Sequence, residues 1–224
     1  LDRALEASDA DRKLIVTDTV FSMDGDLAPL EEIVRVKERH DALLVIDEAH
    51  ATLVFGETGA GAAERFGVSD RVEVQVGTLS KAAGALGGFA AVSPDWKQWI
   101  YNRGRAYVYS TAPPLPVVEA ARAGIRTASD DPSLRRTLWS RVEQLGGRLG
   151  WDLESPVVPV ILGDEERAMR ASRGLLERGY HVIAIRPPTV PPGTSRLRVA
   201  LSAAHSEEDV AGLADALEEV GAVS

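Results

Sequence analysis

Four short apolar segments, with a helical stretch between the first two, constrain the fold of this chain more than any other feature. They are bounded by turn residues, as buried parallel strands are, and lie at 13–18, 42–47, 72–77 and 88–93. The helix between the first two begins near Pro29, and it is indicated by the helical spacing of Leu30, Ile33, Val34 and Lys37. A strand, a helix and a strand within about 35 residues form a βαβ unit. The sequence therefore predicts an α/β fold, a mostly parallel sheet with helices on both faces.

The last third of the chain has a different pattern. An aromatic and proline-rich segment, YVYSTAPPLP (107–116), precedes it. Helices are predicted at about 117–129, 132–149, 164–178 and 207–220, and strands at 157–162, 181–185 and 196–201. Ser206 and Asp209 form a Ser-x-x-Asp start signal for the last helix. We therefore predict two domains: residues 1–129, part of a large domain, and residues 130–224, a small α+β domain.

The composition disfavours several classes of protein. The 224 residues are 45% hydrophobic and 26% charged, which suits a soluble globular protein. The 25 Lys and Arg residues against 34 Asp and Glu give a net charge of -9, which disfavours a nucleic-acid partner. Cysteine is absent, so disulfides and Cys-ligated metal sites are excluded, and we expect no metal site. No apolar run reaches about 18 residues and no signal peptide is visible, so we expect no membrane contact.

The letters DEAH, at the end of the second predicted strand, allow two chemistries. In a nucleic-acid helicase, Asp47 and Glu48 would handle magnesium and the attacking water. The chain has no G-x-x-x-x-G-K-[ST] phosphate loop, which argues against that interpretation. In the other chemistry, Asp47 and His50 hold the ring of an organic cofactor. A strand exit with solvated charges is the structural alternative.

Lys81 lies in a loop rich in glycine and alanine, GTLSKAAGALGG, after the third predicted strand. A desolvated amine in such a loop can form a Schiff base with an aldehyde such as pyridoxal phosphate. A buried carboxylate such as Asp47 would keep the ring nitrogen of that cofactor protonated. Taken singly, Lys81 is more typical of a surface loop and His50 of a structural contact. Because strands of one sheet end at the same edge, where Ser22, Thr78 and Ser80 are also expected, we predict a cofactor site there.

Longer motifs resemble a known family over essentially all 224 residues. FSMDGDLAPL, VIDEAH, GTLSKAAGALGGF and AIRPPTVPPGTSRLRVALSAAH are similar to the α-oxoamine synthases, and RGRAYVYST resembles the plant-type branch. These enzymes are pyridoxal-phosphate-dependent acyltransferases with the aminotransferase class I/II fold, fold type I. The resemblance implies condensation of L-alanine with pimeloyl-CoA or pimeloyl carrier protein, with decarboxylation, in biotin biosynthesis. Sister activities use glycine with a shorter acyl group, as in glycine C-acetyltransferase and 5-aminolevulinate synthase, or serine with a longer one, as in serine palmitoyltransferase.

The resemblance also implies roles for the residues at the cofactor. Lys81 corresponds to the Schiff-base lysine, Asp47 to the partner of the pyridine nitrogen, and His50 to a donor to the ring oxygen. Ser22 corresponds to a further contact of that oxygen. Thr78 resembles a cofactor contact beside the phosphate.

Three further positions resemble contacts with a partner subunit or with the substrate. Thr111 is similar to a threonine that reaches the phosphate of the neighbouring subunit, which implies a homodimer with shared active sites. Arg198 resembles the arginine that binds the amino-acid carboxylate, and Thr189 resembles a substrate contact. The residues themselves agree, because Arg196 and Arg198 alternate with apolar positions and so share one strand face. We expect Arg196 to form a surface ion pair.

Members of the family run to nearly twice this length. The resemblance therefore implies that the chain is a C-terminal fragment, preceded by a part that carries an aromatic ring stacked on the cofactor and a glycine-bearing phosphate loop. A non-catalytic fragment or dimer partner is the alternative to an enzyme. The chain ends in GAVS without a peroxisomal tripeptide, so the cytosol is the expected compartment, with a peroxisomal location left open for a longer protein.

Overall fold

A computed structural model describes residues 1–223. Its contacts divide the chain into two compact units. The first consists of Leu1–Val20 and Ala28–Pro132, and the second of Phe21–Leu27 and the chain from Ser133 onward. The short segment Phe21–Leu27 therefore makes its contacts in the second unit, although it lies far outside 130–224 in the sequence. The domain boundary after residue 129 stays a prediction.

The first unit is built on a four-stranded sheet. Its strands are β1 Leu14–Asp18, β2 Leu43–Asp47, β3 Val74–Thr78 and β4 Gly88–Val92, in that order across the sheet. β1, β2 and β3 are parallel, as predicted, whereas β4 runs antiparallel to β3. The prediction of a parallel fourth strand is wrong because residues 79–87 are too few for a parallel crossover, which needs about a dozen or more residues.

The first unit also contains several helices. They are α1 Asp2–Glu6, α2 Leu30–Arg39, α3 Ala62–Arg65, α4 Pro94–Arg103, α5 Arg105–Val108 and α6 Leu115–Asp130, with a 3-10 turn at Ser69–Arg71. The predicted helix α2 is confirmed, and it buries Leu30, Val34 and Lys37. Helix α4 was not predicted, although its start carries a signal: Ser93 accepts a hydrogen bond from Trp96 N and Pro94 follows it.

Burial in this sheet is highest on the central strands. Leu44 and Ile46 of β2 are fully buried with Phe55 in the core of the unit. On the edge strand β1, Leu14 and Val16 are 58% and 67% exposed, and β4 is exposed along most of its length. The prediction of buried strands is therefore wrong for both edges.

The second unit is an α+β arrangement, as predicted for the last third of the chain. Its antiparallel sheet has the order β5 Val157–Gly163, β7 Ser195–Ala200, β6 Ile183–Ile185. The helices are α7 Ser133–Leu149, α8 Glu165–Glu177 and α9 Glu207–Glu219. Their apolar faces form one core with the sheet, which includes Leu145, Val158, Leu175, Leu197 and Leu217. Among all helices in residues 1–223, none has the length and apolar character that crossing a bilayer requires.

The predicted start of α9 is confirmed as a capping box. Ser206 Oγ accepts a hydrogen bond from Asp209 N at 3.0 Å, and Asp209 Oδ2 accepts one from Ser206 N at 2.8 Å. Two amide groups at the start of the helix are thereby satisfied.

Replacing Ser206 by Ala removes one of these acceptors, and we expect it to lower the free energy of unfolding by about 1 kcal/mol. Urea denaturation followed by circular dichroism would measure the loss. Ser206→Thr keeps the hydroxyl and is the matched control. An equal loss in both variants would mean that the capping bond is not the cause.

Candidate active site

The amine of Lys81 and the imidazole of His50 meet beside the carboxyl ends of β2 and β3. Lys81 Nζ lies 3.1 Å from His50 Nε2. Lys81 is exposed in the loop that follows β3, and His50 is half-buried three residues after the end of β2. The loop around Lys81 is closed by hydrogen bonds from Gly84 N to Lys81 O at 2.9 Å and from Ala85 N to Leu79 O at 2.8 Å. The structure thus brings these two predicted site residues together.

Asp47 is the last residue of β2, and its carboxylate is fixed on one side only. Oδ1 accepts a hydrogen bond from Ala49 N at 2.7 Å, which orients the side chain. Within residues 1–223, Oδ2 receives no hydrogen bond. The side chain is half-buried, so this oxygen can accept a hydrogen bond from a cationic group.

Glu48, the next residue, is a structural carboxylate that the sequence interpretation missed. It is 2% exposed. It accepts hydrogen bonds from Thr19 Oγ1 at 2.8 Å, Ala62 N at 2.9 Å and Ala63 N at 2.8 Å. Burial raises the pKa of Glu48, while the hydrogen bonds from Ala63, Ala62 and Thr19 oppose the rise. The sequence gives no signal for this role, because its partners begin a short helix that was not predicted.

Asp18 is a second site residue that the sequence interpretation missed. It ends β1 and lies directly opposite Asp47 in the parallel register. Partial burial raises the pKa of Asp18; the negative charge of Asp47 raises it further, and the positive charge of Lys81 lowers it. Asp18 could have been predicted as a site residue from its position at the end of a strand. The site residues at the ends of β2 and β3 were predicted on that basis.

Thr78 and Ser80 form a pair of hydroxyls beside Lys81. Their Oγ atoms are 2.8 Å apart, and Ser80 N donates to Thr78 Oγ1 at 3.2 Å. Thr78 Oγ1 also lies 3.2 Å from Gly87 O, on the far side of the loop. Both hydroxyls are therefore held next to the lysine, at the end of β3.

The lysine loop is backed by helix α6. A Cβ atom at Gly124 would lie 2.1 Å from Ala83 O, and Ala83 is buried. The glycine lets the helix and the loop approach at backbone distance, and this contact limits the movement of residues close to Lys81. Thr111, by contrast, is exposed in the segment between α5 and α6.

The remaining predicted residues, Ser22, Thr189 and Arg198, belong to the second unit. Arg198 Nε donates a hydrogen bond to Ser22 O at 2.6 Å, and burial lowers the pKa of the Arg198 guanidinium. Thr189 is exposed and donates its N–H to Arg186 O at 3.0 Å. The structure brings Arg198 and Ser22 together, whereas no hydrogen bond within residues 1–223 joins Thr189 to either of them.

Arg196 differs from its prediction. It forms an ion pair, as predicted, with Asp24 at 2.5 Å, but only the Asp24 side chain lies at the surface, at 58% exposed, whereas that of Arg196 is 5% exposed. It shares the strand face of Arg198, as predicted, since both contact residues 22–24. The segment that covers them, Phe21–Leu27, buries the arginine.

Because Asp47 and Lys81 act on the pKa of Asp18 in opposite directions, removing either charge should shift that pKa in a different direction. Lys81→Met removes a positive charge and should raise the pKa of Asp18, whereas Asp47→Asn removes a negative charge and should lower it. NMR titration of the Asp18 carboxyl carbon measures both shifts. Lys97→Met is the matched charge control and should have no effect. Shifts of the same sign in the two site variants would contradict the arrangement.

Comparison with known proteins places the chain in a family. The sequence profile of the aminotransferase class I and II family matches residues 1–217. An 8-amino-7-oxononanoate synthase of Arabidopsis thaliana is 51% identical over 206 residues, which are 92% of this chain and 43% of the relative. One of Anaeromyxobacter dehalogenans (strain 2CP-C) is 51% identical over 217 residues, 94% of this chain and 55% of the relative.

A solved serine palmitoyltransferase from S. paucimobilis, with bound PLP-myriocin aldimine, superposes with a TM-score of 0.92 at 32% identity, covering 99% of this chain and 59% of that one. The chain spans about half the length of the relatives it matches. The resemblance to the α-oxoamine synthases is confirmed, and the fold is that of the fold type I transferases. The chain belongs to the aminotransferase class I and II family.

Proposed function

We propose that this chain is part of a pyridoxal-phosphate-dependent acyltransferase that joins L-alanine to a pimeloyl thioester, either pimeloyl-CoA or pimeloyl carrier protein. The products would be 8-amino-7-oxononanoate, carbon dioxide and the free thiol, a step of biotin biosynthesis. The observation that carries the proposal is the contact of Lys81 Nζ with His50 Nε2 at 3.1 Å beside Asp47. The two relatives that are 51% identical to this chain are named 8-amino-7-oxononanoate synthase.

The donor set of the first unit fits pyridoxal phosphate. Lys81 supplies an exposed amine for the aldehyde, with small residues around it. Asp47 Oδ2, which has no donor within residues 1–223, would hold a protonated ring nitrogen, and His50 would donate to the ring oxygen. Bound there, the cofactor would supply an electron sink for a negative charge at the amino-acid Cα.

Two hydroxyls are suited to the phosphate end of the cofactor. Thr78 and Ser80 lie side by side at the end of β3, and a phosphate can accept hydrogen bonds from both. We propose Thr78 as the main contact, in agreement with the resemblance, and Ser80 as its neighbour.

The same resemblance leads us to propose a homodimer in which Thr111 serves the partner's site. Support comes from the apolar surface of α4, α5 and the start of α6, which lies on both sides of Thr111 in the sequence. Its large exposed side chains include Trp99, Tyr101, Tyr107, Tyr109 and Leu115. Aromatic residues are enriched in the buried parts of protein interfaces. Tyr109 and Leu115 are each 77% exposed, which is unusual for so large a cluster on a monomer surface.

In the proposed reaction, Arg198 binds the α-carboxylate of alanine and Lys81 moves the proton. Among the bonds within residues 1–223, Arg198 donates only from Nε, which leaves its terminal nitrogens for a bidentate bond. Lys81 Nζ, when free, takes the proton from the alanine Cα, and His50 lies within hydrogen-bond distance of that nitrogen. A carbon–carbon bond then forms between Cα and the thioester carbonyl carbon as the carbon–sulfur bond breaks and the thiolate leaves, to be protonated by water. The carboxylate then departs as carbon dioxide, and Lys81 returns its proton to Cα. Thr189 is proposed as a contact of the substrate.

A sister activity is the second candidate, because the solved serine palmitoyltransferase matches 99% of this chain. A non-catalytic dimer partner is a third, but such a subunit has no need of Lys81, Asp47 and His50 together. For the compartment, we propose the cytosol.

The test of the function is a substrate panel on the protein in its full natural length. We expect carbon dioxide release with L-alanine and pimeloyl-CoA to exceed release with glycine and acetyl-CoA, or serine and palmitoyl-CoA, by at least about tenfold in kcat/KM. The physical reason is that the pocket must accept the Cα methyl group and the acyl length of one pair only.

Lys81→Ala is the control for this panel. It should abolish release and the borohydride-fixed adduct at residue 81, since no other amine occupies that position. A preference for serine with palmitoyl-CoA would support the sister activity. Release by the Lys81→Ala variant at the unmodified rate would remove the lysine from the mechanism.

A mixed dimer tests the role of Thr111. Lys81→Ala and Thr111→Asp subunits should each be inactive alone, the second because its carboxylate repels the phosphate. If Thr111 serves the partner's site, random reassociation should restore about a quarter of the unmodified activity, since half of the dimers are mixed and each holds one complete site. No recovery, with mixed dimers shown by native mass spectrometry, would place Thr111 in its own subunit's site.

A further inference from the structure

We propose that Arg196 is a positioning residue for Arg198: it immobilises residues Phe21–Leu27 and so fixes the direction in which Arg198 presents its terminal nitrogens to the amino-acid carboxylate. The inference rests on the proposed function, in which Arg198 binds that carboxylate. It assigns a role in substrate binding to Arg196, for which the sequence indicated only a surface ion pair.

Arg196 is a buried charge whose Nε and Nη1 atoms donate to three acceptors. Nε donates to Thr194 O at 3.0 Å. Nη1 donates to Met23 O at 3.0 Å and to Asp24 Oδ1 at 2.5 Å. A guanidinium that is 4% exposed is costly to bury unless it is paired in this way. The arginine therefore joins strand β7 to two consecutive residues that lie more than 170 positions earlier in the sequence.

The segment that Arg196 holds is a closed loop. Gly25 N donates to Phe21 O at 2.7 Å, and Phe21 N donates to Asp26 O at 3.0 Å. Gly25 has a φ of +71°, and a Cβ atom there would lie 2.0 Å from Val157 O. Only glycine permits this approach to the start of β5. Fixing Met23 and Asp24 therefore fixes the loop against the sheet.

Arg198 depends on the same loop for its orientation. Its Nε donates to Ser22 O at 2.6 Å, one residue before the carbonyl that Arg196 holds. Within residues 1–223, this is the one hydrogen bond that Arg198 donates. A bond at Nε restrains the rotation of the guanidinium and leaves the two terminal nitrogens for another acceptor. If the carbonyl of Ser22 moves, the plane of the guanidinium turns with it.

A turned plane weakens bidentate binding, because two parallel N–H···O bonds need the guanidinium and the carboxylate in one plane. The loss would appear in the binding of the amino acid, whose α-carboxylate is the proposed ligand. It would not appear in the binding of the thioester group. This separation distinguishes positioning from a general effect on folding.

The experiment compares variants of the full-length holoenzyme. Arg196→Lys keeps the charge but cannot reach three acceptors at once, and we expect it to raise the KM for L-alanine about tenfold, with the KM for the pimeloyl thioester unchanged. Asp24→Asn removes the ion pair but leaves both carbonyl contacts, so its effect should be smaller. The dissociation constant of L-alanine, from calorimetry, should change in parallel with its KM. Arg178→Lys, in the exposed pair with Glu219 of the same unit, is the matched control and should change neither constant.

Arg198→Lys is the reference that separates two kinds of failure. If it raises the KM for alanine while Arg196→Lys does not, the positioning role is wrong and the proposed function stands. If neither variant raises it, the assignment of Arg198 is wrong, and the inference falls with it. A variant of Arg196 that lowers kcat and the urea midpoint with both KM values unchanged has only a structural role, which also overturns the inference.

Discussion

The buried carboxylate of Glu48 is the group on which the arrangement of the candidate site depends. It lies between Asp47 and His50 in the sequence and accepts hydrogen bonds from Thr19, the residue after β1, and from the amides that begin α3. Thr19 also donates its N–H to Asp47 O at 2.9 Å, so the ends of β1 and β2 and the loop that precedes α3 are held together. A buried anion requires such donors, and Gly61, with a φ of +130°, leaves the room: a Cβ there would lie 2.7 Å from Glu48 Cδ. The positions of Asp47 and His50 follow from this group.

The position of Lys81 is set by the antiparallel return of β4. Leu79 N donates to Gly87 O at 2.9 Å, which closes the loop that carries the lysine. Gly77 faces Phe89 across the ladder, and a Cβ there would lie 2.3 Å from the ring, so the glycine admits the aromatic side chain into the turn region. Because β4 follows β3 after a short loop, the lysine stays at the end of β3. It lies there next to His50, which follows the end of β2.

The sequence was sufficient for those features that depend on local pattern. The βαβ unit, helix α2, the capping box of α9 and the cluster of Asp47, His50 and Lys81 at one edge all followed from spacing. Contacts that span long stretches of sequence were not predictable in this way. Arg196 was expected at the surface because its covering loop, Phe21–Leu27, comes from the beginning of the chain. Glu48 was overlooked because its partners Ala62 and Ala63 carry no side-chain signal.

Arg196 and Arg198 illustrate how one strand can combine a structural and a functional group. They are two positions apart on β7, so both project on the same face and contact the same loop, but the loop uses them differently. Arg196 donates hydrogen bonds within the protein, to two carbonyls and a carboxylate. In the described part of the chain, Arg198 donates only from Nε, and it is less buried than Arg196, which is the arrangement expected for a guanidinium that has a ligand still to bind. The loss of solvation that lowers the pKa of Arg198 also strengthens its attraction for a carboxylate, since water competes less for both partners.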